Sequence, residues 1–144
     1  MKTVKQVLDS KGYEIHSIAP NASVYEALEK MAQEGIGALI VLDEGKLVGI
    51  VSERDYARKV ILKGHSSSTT PVKNIMTEKV ICVSSELGVE ATMSIMTDKR
   101  VRHLVVRDEG RITGVISIGD VVKAIIDHQQ FTIEQLEHYI SGYG

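Results

Sequence analysis

The sequence predicts an α+β chain: two tandem half-domains, each β-α-β-β-α, packed about a pseudo-two-fold axis and followed by a C-terminal helical tail. Three observations carry this expectation. Residues 18–60 lie over residues 83–125 without a gap, with 10 identities in 43 positions. Each copy sets a helical stripe of apolar residues ahead of two aliphatic runs that flank an Asp-Glu-Gly turn. Each copy also ends on one string, Gly49-Ile50-Val51-Ser52-Glu53-Arg54-Asp55 returning as Gly114-Val115-Ile116-Ser117-Ile118-Gly119-Asp120. A unit of this length that occurs only twice fits paired half-domains, because a solenoid needs at least three stacked repeats.

The elements follow in order. Val24, Ala27, Leu28 and Met31 fall at i, i+3, i+4 and i+7, the stripe of an amphipathic helix. Ser23 and Glu26 supply a capping box at its start and Gly35 a stop. The second copy repeats the stripe at Val89, Met93 and Met96, with Gly88 as a tolerable N-cap. Ala38 to Leu42 and Leu47 to Val51 flank Asp43-Glu44-Gly45 and read as a hairpin, matched by Leu104 to Val106 and Ile112 to Ile116 around Asp108-Glu109-Gly110. Asp55 and Asp120 then open second helices. Upstream, Val4-Lys5-Gln6-Val7-Leu8 resembles Val72-Lys73-Asn74-Ile75-Met76 at a spacing of 68, so the first copy carries three extra residues near Ser10-Lys11-Gly12-Tyr13. The expected division is a first repeat at 1–63, a polar connector at 64–71, a second repeat at 72–127 and a helical tail at 128–144. Thr132 and Gln135 read as a further capping box, with Ile133, Leu136 and Ile140 on one face of the tail.

Composition narrows the function. An apolar content of 43% suffices for the core of one domain. With 17 basic and 19 acidic residues and a net charge of −2, there is no basic field for nucleic acid or anionic lipid. No apolar run approaches the roughly 20 residues that span a bilayer, and the N-terminus leads into no signal-peptide apolar segment. Cys82 is the single cysteine, expected as a buried, inert thiol in an apolar strand. A soluble protein of a reducing compartment, the cytoplasm, is expected. The five histidines show no metal-ligand spacing, and no phosphate loop or nucleophile-base pair is visible. The chain is expected to bind no metal and to be no enzyme.

The twice-occurring Gly-aliphatic-aliphatic-Ser-x-x-Asp ending after helix and hairpin, with Asn74-Ile75-Met76-Thr77 opening the second copy, resembles a pair of CBS domains, the Bateman module. The resemblance covers roughly Val4 to Ile126. It implies regulatory binding of adenosine-containing ligands (AMP, ADP, ATP, NAD or S-adenosylmethionine) in clefts between two CBS repeats. The residue types suit that chemistry. An aspartate at a strand end accepts hydrogen bonds from a ribose diol, a serine three residues earlier donates to phosphate, and a helix N-terminus favours an anion. Gly49 and Gly114, lacking a Cβ, would let backbone and ligand approach closely. Either Ser-Asp pair alone could merely cap a helix, but capping does not require the whole motif in both copies.

By that resemblance each ligand is shared between the repeats. One cleft takes Ser52, Arg54 and Asp55 with Val80, Ile81, Val101, Arg102 and His103. The other takes Gly114, Ser117 and Asp120 with Ile15, His16, Ile36, Gly37 and Ala38. Since arginine suits phosphate oxygens, the Asp55 cleft is expected to prefer the more phosphorylated ligand. The expected partners are a second copy, forming a homodimer, and a regulated enzyme or transporter. The competing expectation is a ligand-independent interaction or dimerisation scaffold.

Overall fold

In the computed structural model, which describes residues 2–141, each copy folds as read, and each acquires a short helical segment ahead of its first strand. The chain divides into two compact units, one spanning Ile15–Val80 and the other joining the segment through Glu14 to the chain from Ile81 onward. The units thus differ from the sequence repeats by an exchange of those leading segments.

Within the Ile15–Val80 unit, β1 (Ser17–Ile18) lies parallel to β2 (Ala38–Asp43), which pairs antiparallel with β3 (Lys46–Ser52). Helix α2 (Val24–Glu34) crosses between β1 and β2, buries Val24, Ala27 and Met31, and ends at Gly35 in the left-handed conformation that glycine adopts without steric cost. Ser23 accepts the Glu26 N–H at 3.1 Å, as the capping motif requires. Glu44 and Gly45 both have positive φ, so the hairpin closes through a type I′ turn whose twist matches the flanking strands. A short helix, α3 (Glu53–Tyr56), runs into a π-helical turn at Ala57–Ile61. The leading segment is a 3₁₀ turn, Val72–Asn74, whose N–H groups donate from Val72 to Ala22 and from Lys73 to Pro20.

The other unit repeats the plan with β4 (Cys82–Val83), α4 (Val89–Lys99), β5 (His103–Asp108), β6 (Arg111–Ser117) and α5 (Ile118–Ser141). Its leading segment is α1 (Val4–Lys11), closed at its start by a reciprocal Thr3–Gln6 capping box and held by N–H donation from Val4 to Leu87 and from Lys5 to Ser85. Val4 and Leu8 are fully buried against Leu104, Val106 and Ile116. A side chain so buried contributes about 1.5 to 3 kcal/mol, which anchors α1 to this sheet.

Three expectations are corrected. The tail is not a separately capped helix, because α5 runs unbroken from Ile118 through Ser141; Thr132 donates its hydroxyl to the His128 carbonyl at 3.0 Å, the back-bond of a helix interior. Residues 142–144 of the expected tail lie outside the described residues. Cys82 is exposed, since in β4 it is Val83 that turns into the core. Gly49 and Gly114 make room for side chains. A Cβ on Gly49 would stand 2.6 Å from Met76 Sδ, and one on Gly114 would stand 2.8 Å from Leu8 Cδ2. The room that glycine leaves is filled by the leading segment of each unit, so Gly114 lines packed core.

Candidate functional site

Strand register gathers the candidate residues at one end of each sheet. In the Ile15–Val80 unit the parallel pairing Ser17↔Ile40 puts the start of β1 beside the start of β2, and Ala38↔Ser52 puts the start of β2 beside the end of β3. The His16 carbonyl accepts from Ile40 N–H at 3.2 Å, and the Gly37 carbonyl accepts from Glu53 N–H at 3.1 Å. Ile15, His16, Gly37, Ala38, Ser52, Arg54 and Asp55 therefore converge within one unit. Ile36 packs against the core, and Val80 is half-buried at the unit's end.

The second unit repeats this end. His103 pairs with Ser117, the Arg102 carbonyl accepts the Ile118 N–H at 2.8 Å, and the Ile81 carbonyl accepts the Val105 N–H at 3.1 Å. Ile81 and Val101 are partly buried against the core, and Arg102 is exposed. Arg102 and His103, which the family resemblance groups with Asp55, are cross-strand neighbours of Ile118 and Ser117 within their own unit. Gly37 and Ala38 likewise neighbour Ser52. A regular hairpin turning at Glu109-Gly110 would oppose residue 103 to residue 116, and the irregularity between Val106 and Arg107 shifts the register by one to bring Ser117 opposite His103.

Both Ser-Asp pairs form helix caps. Asp55 Oδ2 accepts from the Ser52 N–H at 2.9 Å and the Ser52 hydroxyl at 3.1 Å, while Ser52 Oγ accepts the Asp55 N–H at 3.3 Å. Asp120 Oδ2 accepts the Ser117 N–H at 2.8 Å, and Ser117 Oγ accepts the Asp120 N–H at 3.2 Å. Each carboxylate also holds an ammonium that sequence reasoning missed. Lys59 stands 3.2 Å from Asp55 Oδ1 and donates to the Ile75 carbonyl at 2.9 Å. Lys11 stands 2.6 Å from Asp120 Oδ2 and donates to the Val115 carbonyl at 2.8 Å. Burial pushes the Asp120 carboxyl up, but the Lys11 hydrogen bond and charge, together with the Ser117 N–H, outweigh it and hold the group below the usual aspartate value. Of these two lysines only Lys59, four residues after Asp55 on the same helical stretch, carries a local signal.

Asp108 accepts from the Ser85 N–H at 2.9 Å, the Thr113 hydroxyl at 3.0 Å and the Ser84 hydroxyl at 3.3 Å, and the Ser85 N–H foremost holds its carboxyl below the ordinary value. It thus ties the loop after β4 to the hairpin.

A shared constellation of this kind on two such units defines a class, and comparison with known proteins names it. The CBS domain model matches residues 4–62 and 72–127, so the chain belongs to the CBS domain family. The mitochondrial CBS domain-containing protein CBSX3 of Arabidopsis thaliana is 41% identical over 150 residues, covering 97% of this chain and 72% of that protein. A solved structure of a protein with CBS domains from Burkholderia ambifaria is 48% identical, covers 92% of this chain and 99% of its own, and superposes with a TM-score of 0.86. The CBS domain pair of protein MJ0100, solved in complex with 5′-methylthioadenosine and S-adenosyl-L-methionine, shares the fold with a TM-score of 0.77 at 23% identity, over 89% of this chain and 98% of that one. No helix among the described residues is long and apolar enough to cross a membrane.

Proposed function

We propose that this chain is a regulatory module of the cytoplasm that senses an adenine nucleotide (AMP, ADP, ATP or NAD) or a related adenosyl ligand, acts as a homodimer, and transmits occupancy to a regulated enzyme or transporter. The observation that carries it is the repeated sheet end: a half-buried Ser-x-x-Asp cap flanked by the starts of two parallel strands, twice in one chain. An aspartate there is acceptor-only when ionised and suits a ribose diol, and the 24-residue helix α5 adds its N-terminal dipole beside Asp120. The Asp120 end takes the more phosphorylated ligand, because Arg102, His103 and Lys11 belong to that unit. The binding of adenosyl ligands by the MJ0100 pair gives this fold a precedent for the ligand class.

One observation favours a second reading, a scaffold without ligand: both aspartates already serve as caps and hold lysines. Thermal unfolding with AMP, ATP, NAD and S-adenosylmethionine separates the two. A ligand at about 100 times its Kd stabilises by about 2.7 kcal/mol, several degrees in Tm for a domain of this size. Asp55→Asn and Asp120→Asn should each remove part of the shift. If no adenosyl compound moves Tm, the scaffold reading stands and ligand sensing falls.

A further inference from the structure

The first turns of α5 set one apolar stripe against the folded unit, while a second line of apolar residues along the helix stays exposed, as do Phe131 and Tyr139 beside it. Val121 and Ala124 are buried and Ile125 packs against the core, whereas Val122, Ile126, Ile133, Leu136 and Ile140 are all exposed, with Gln129 exposed between them. Positions 122, 126, 129, 133, 136 and 140 follow one another at steps of four, three, four, three and four. This is the spacing that keeps a seam facing a partner helix, and it begins on the part of α5 already fixed to the sheet. The seam's chemistry is equally regular. Ile126, Ile133 and Ile140 take every a position, while Val122, Gln129 and Leu136 take the d positions. Isoleucine at a with leucine at d favours two parallel strands, and a single polar pair within such a seam fixes register.

From this pattern we infer that residues 122–140 of α5 pair in parallel with the same segment of a second copy, Gln129 facing Gln129. The occupant is a second copy because the seam complements itself: identical isoleucine layers stack on one another, and the one polar layer meets its own kind. A partner with an unbroken apolar helix would leave Gln129 against hydrocarbon, where an unmatched amide is costly. The flanking positions do not oppose parallel pairing, since Ile125 would face Gln130 and Thr132 would face Glu137, with no like charges in register. Anchoring of the first turns on the sheet removes the nucleation cost that makes a free helix of this length marginal.

The inference rests on the homodimer proposed above and specifies its interface. Light scattering on the whole chain should report twice the 15.8 kDa subunit mass. The double substitution Ile133→Asp with Leu136→Asp, which lies beyond the sheet-packed part of α5, should return one subunit mass with circular dichroism still showing a folded chain. Gln129→Cys in a Cys82→Ser background should crosslink to a covalent dimer under mild oxidation, because parallel pairing brings the two thiols together. A wild-type monomer at micromolar concentration overturns the homodimer itself. A dimer that survives the double aspartate substitution overturns only the seam. If the aspartates do dissociate the dimer but the Gln129→Cys variant forms no crosslink, parallel pairing is overturned.

Discussion

Lys11→Met removes the ammonium that holds Asp120 and leaves the helix and its apolar stem in place. Lys11 Nζ makes two contacts at hydrogen-bond distance, 2.6 Å to Asp120 Oδ2 and 2.8 Å to the Val115 carbonyl. A hydrogen bond to a charged group contributes about 1.5 to 3 kcal/mol, and a fully exposed ion pair about 0.2 to 1. Side-chain exposures of 35% for Lys11 and 23% for Asp120 put this pair between those limits. Discounted for the water that reaches Lys11, the loss should be about 1 to 2 kcal/mol at pH 7. Asp120 is held below its ordinary value in the folded state, so its contribution is fully present above the unfolded aspartate value near 3.9 and is lost as pH falls through the folded one. Urea unfolding of the wild type and the variant should therefore differ most at neutral pH and converge below about pH 4. A double-mutant cycle with Asp120→Asn isolates the coupling. Equal destabilisation at pH 7 and pH 3, or a coupling of zero, would show that Lys11 acts only through its packing.

Two glycine substitutions test the packing, and a third change tests a backbone angle. Gly49→Ala should destabilise by about 1 to 3 kcal/mol, because the added methyl meets Met76 Sδ at 2.6 Å and also the Thr77 carbonyl at 3.0 Å, a backbone atom that cannot swing away. Gly114→Ala meets first the branches of Leu8, a flexible side-chain end, and should cost less, an order that chemical denaturation would reverse if the two glycines served another purpose. Arg100→Gly should stabilise by roughly 0.5 to 1 kcal/mol, since Arg100 ends α4 at φ 55 where the first copy has Gly35. A lower Tm for that variant would mean that the Arg100 side chain contributes more than its backbone strain costs.

The fold was legible because both of its periodicities are local. Val24-Ala27-Met31 faces the core as a helical stripe, and the Asp-Glu-Gly strings turn where two positive φ angles are needed. The Ser-Asp motifs were legible for the same reason, each being complete within four residues. What escaped depends on contacts between distant segments. Nothing near Gly114 announces Leu8, and nothing near Asp120 announces Lys11, 109 residues away. Thr132-x-x-Gln135 matched a capping pattern, but a cap needs a break before it. The core-facing stripe of α5 hands over to the exposed seam without one, so the helix continues through.

The three extra residues of the first copy account for the difference between the two sheet ends. Ile50 and Val115 are equivalent positions on the outer edges of β3 and β6, each with a backbone carbonyl to satisfy. After the short 3₁₀ turn at 72–74 the backbone is close enough for Thr77 to do this itself, exchanging hydrogen bonds with Ile50 at 3.0 and 2.8 Å. After the longer α1 the task passes to a side chain, and Lys11 reaches the Val115 carbonyl and Asp120 together. The position equivalent to Lys59 in the second copy is Ala124, only 4% exposed on the buried side of α5, where an ammonium would be stripped of water. The cation at Asp55 thus comes from the helix that follows it, and the one at Asp120 comes from α1. The duplicated plan carries the same carboxylate-ammonium pair at both ends while supplying it from different helices. Any ligand that competes for these carboxylates must displace a lysine of the following helix at one end and of the leading helix at the other.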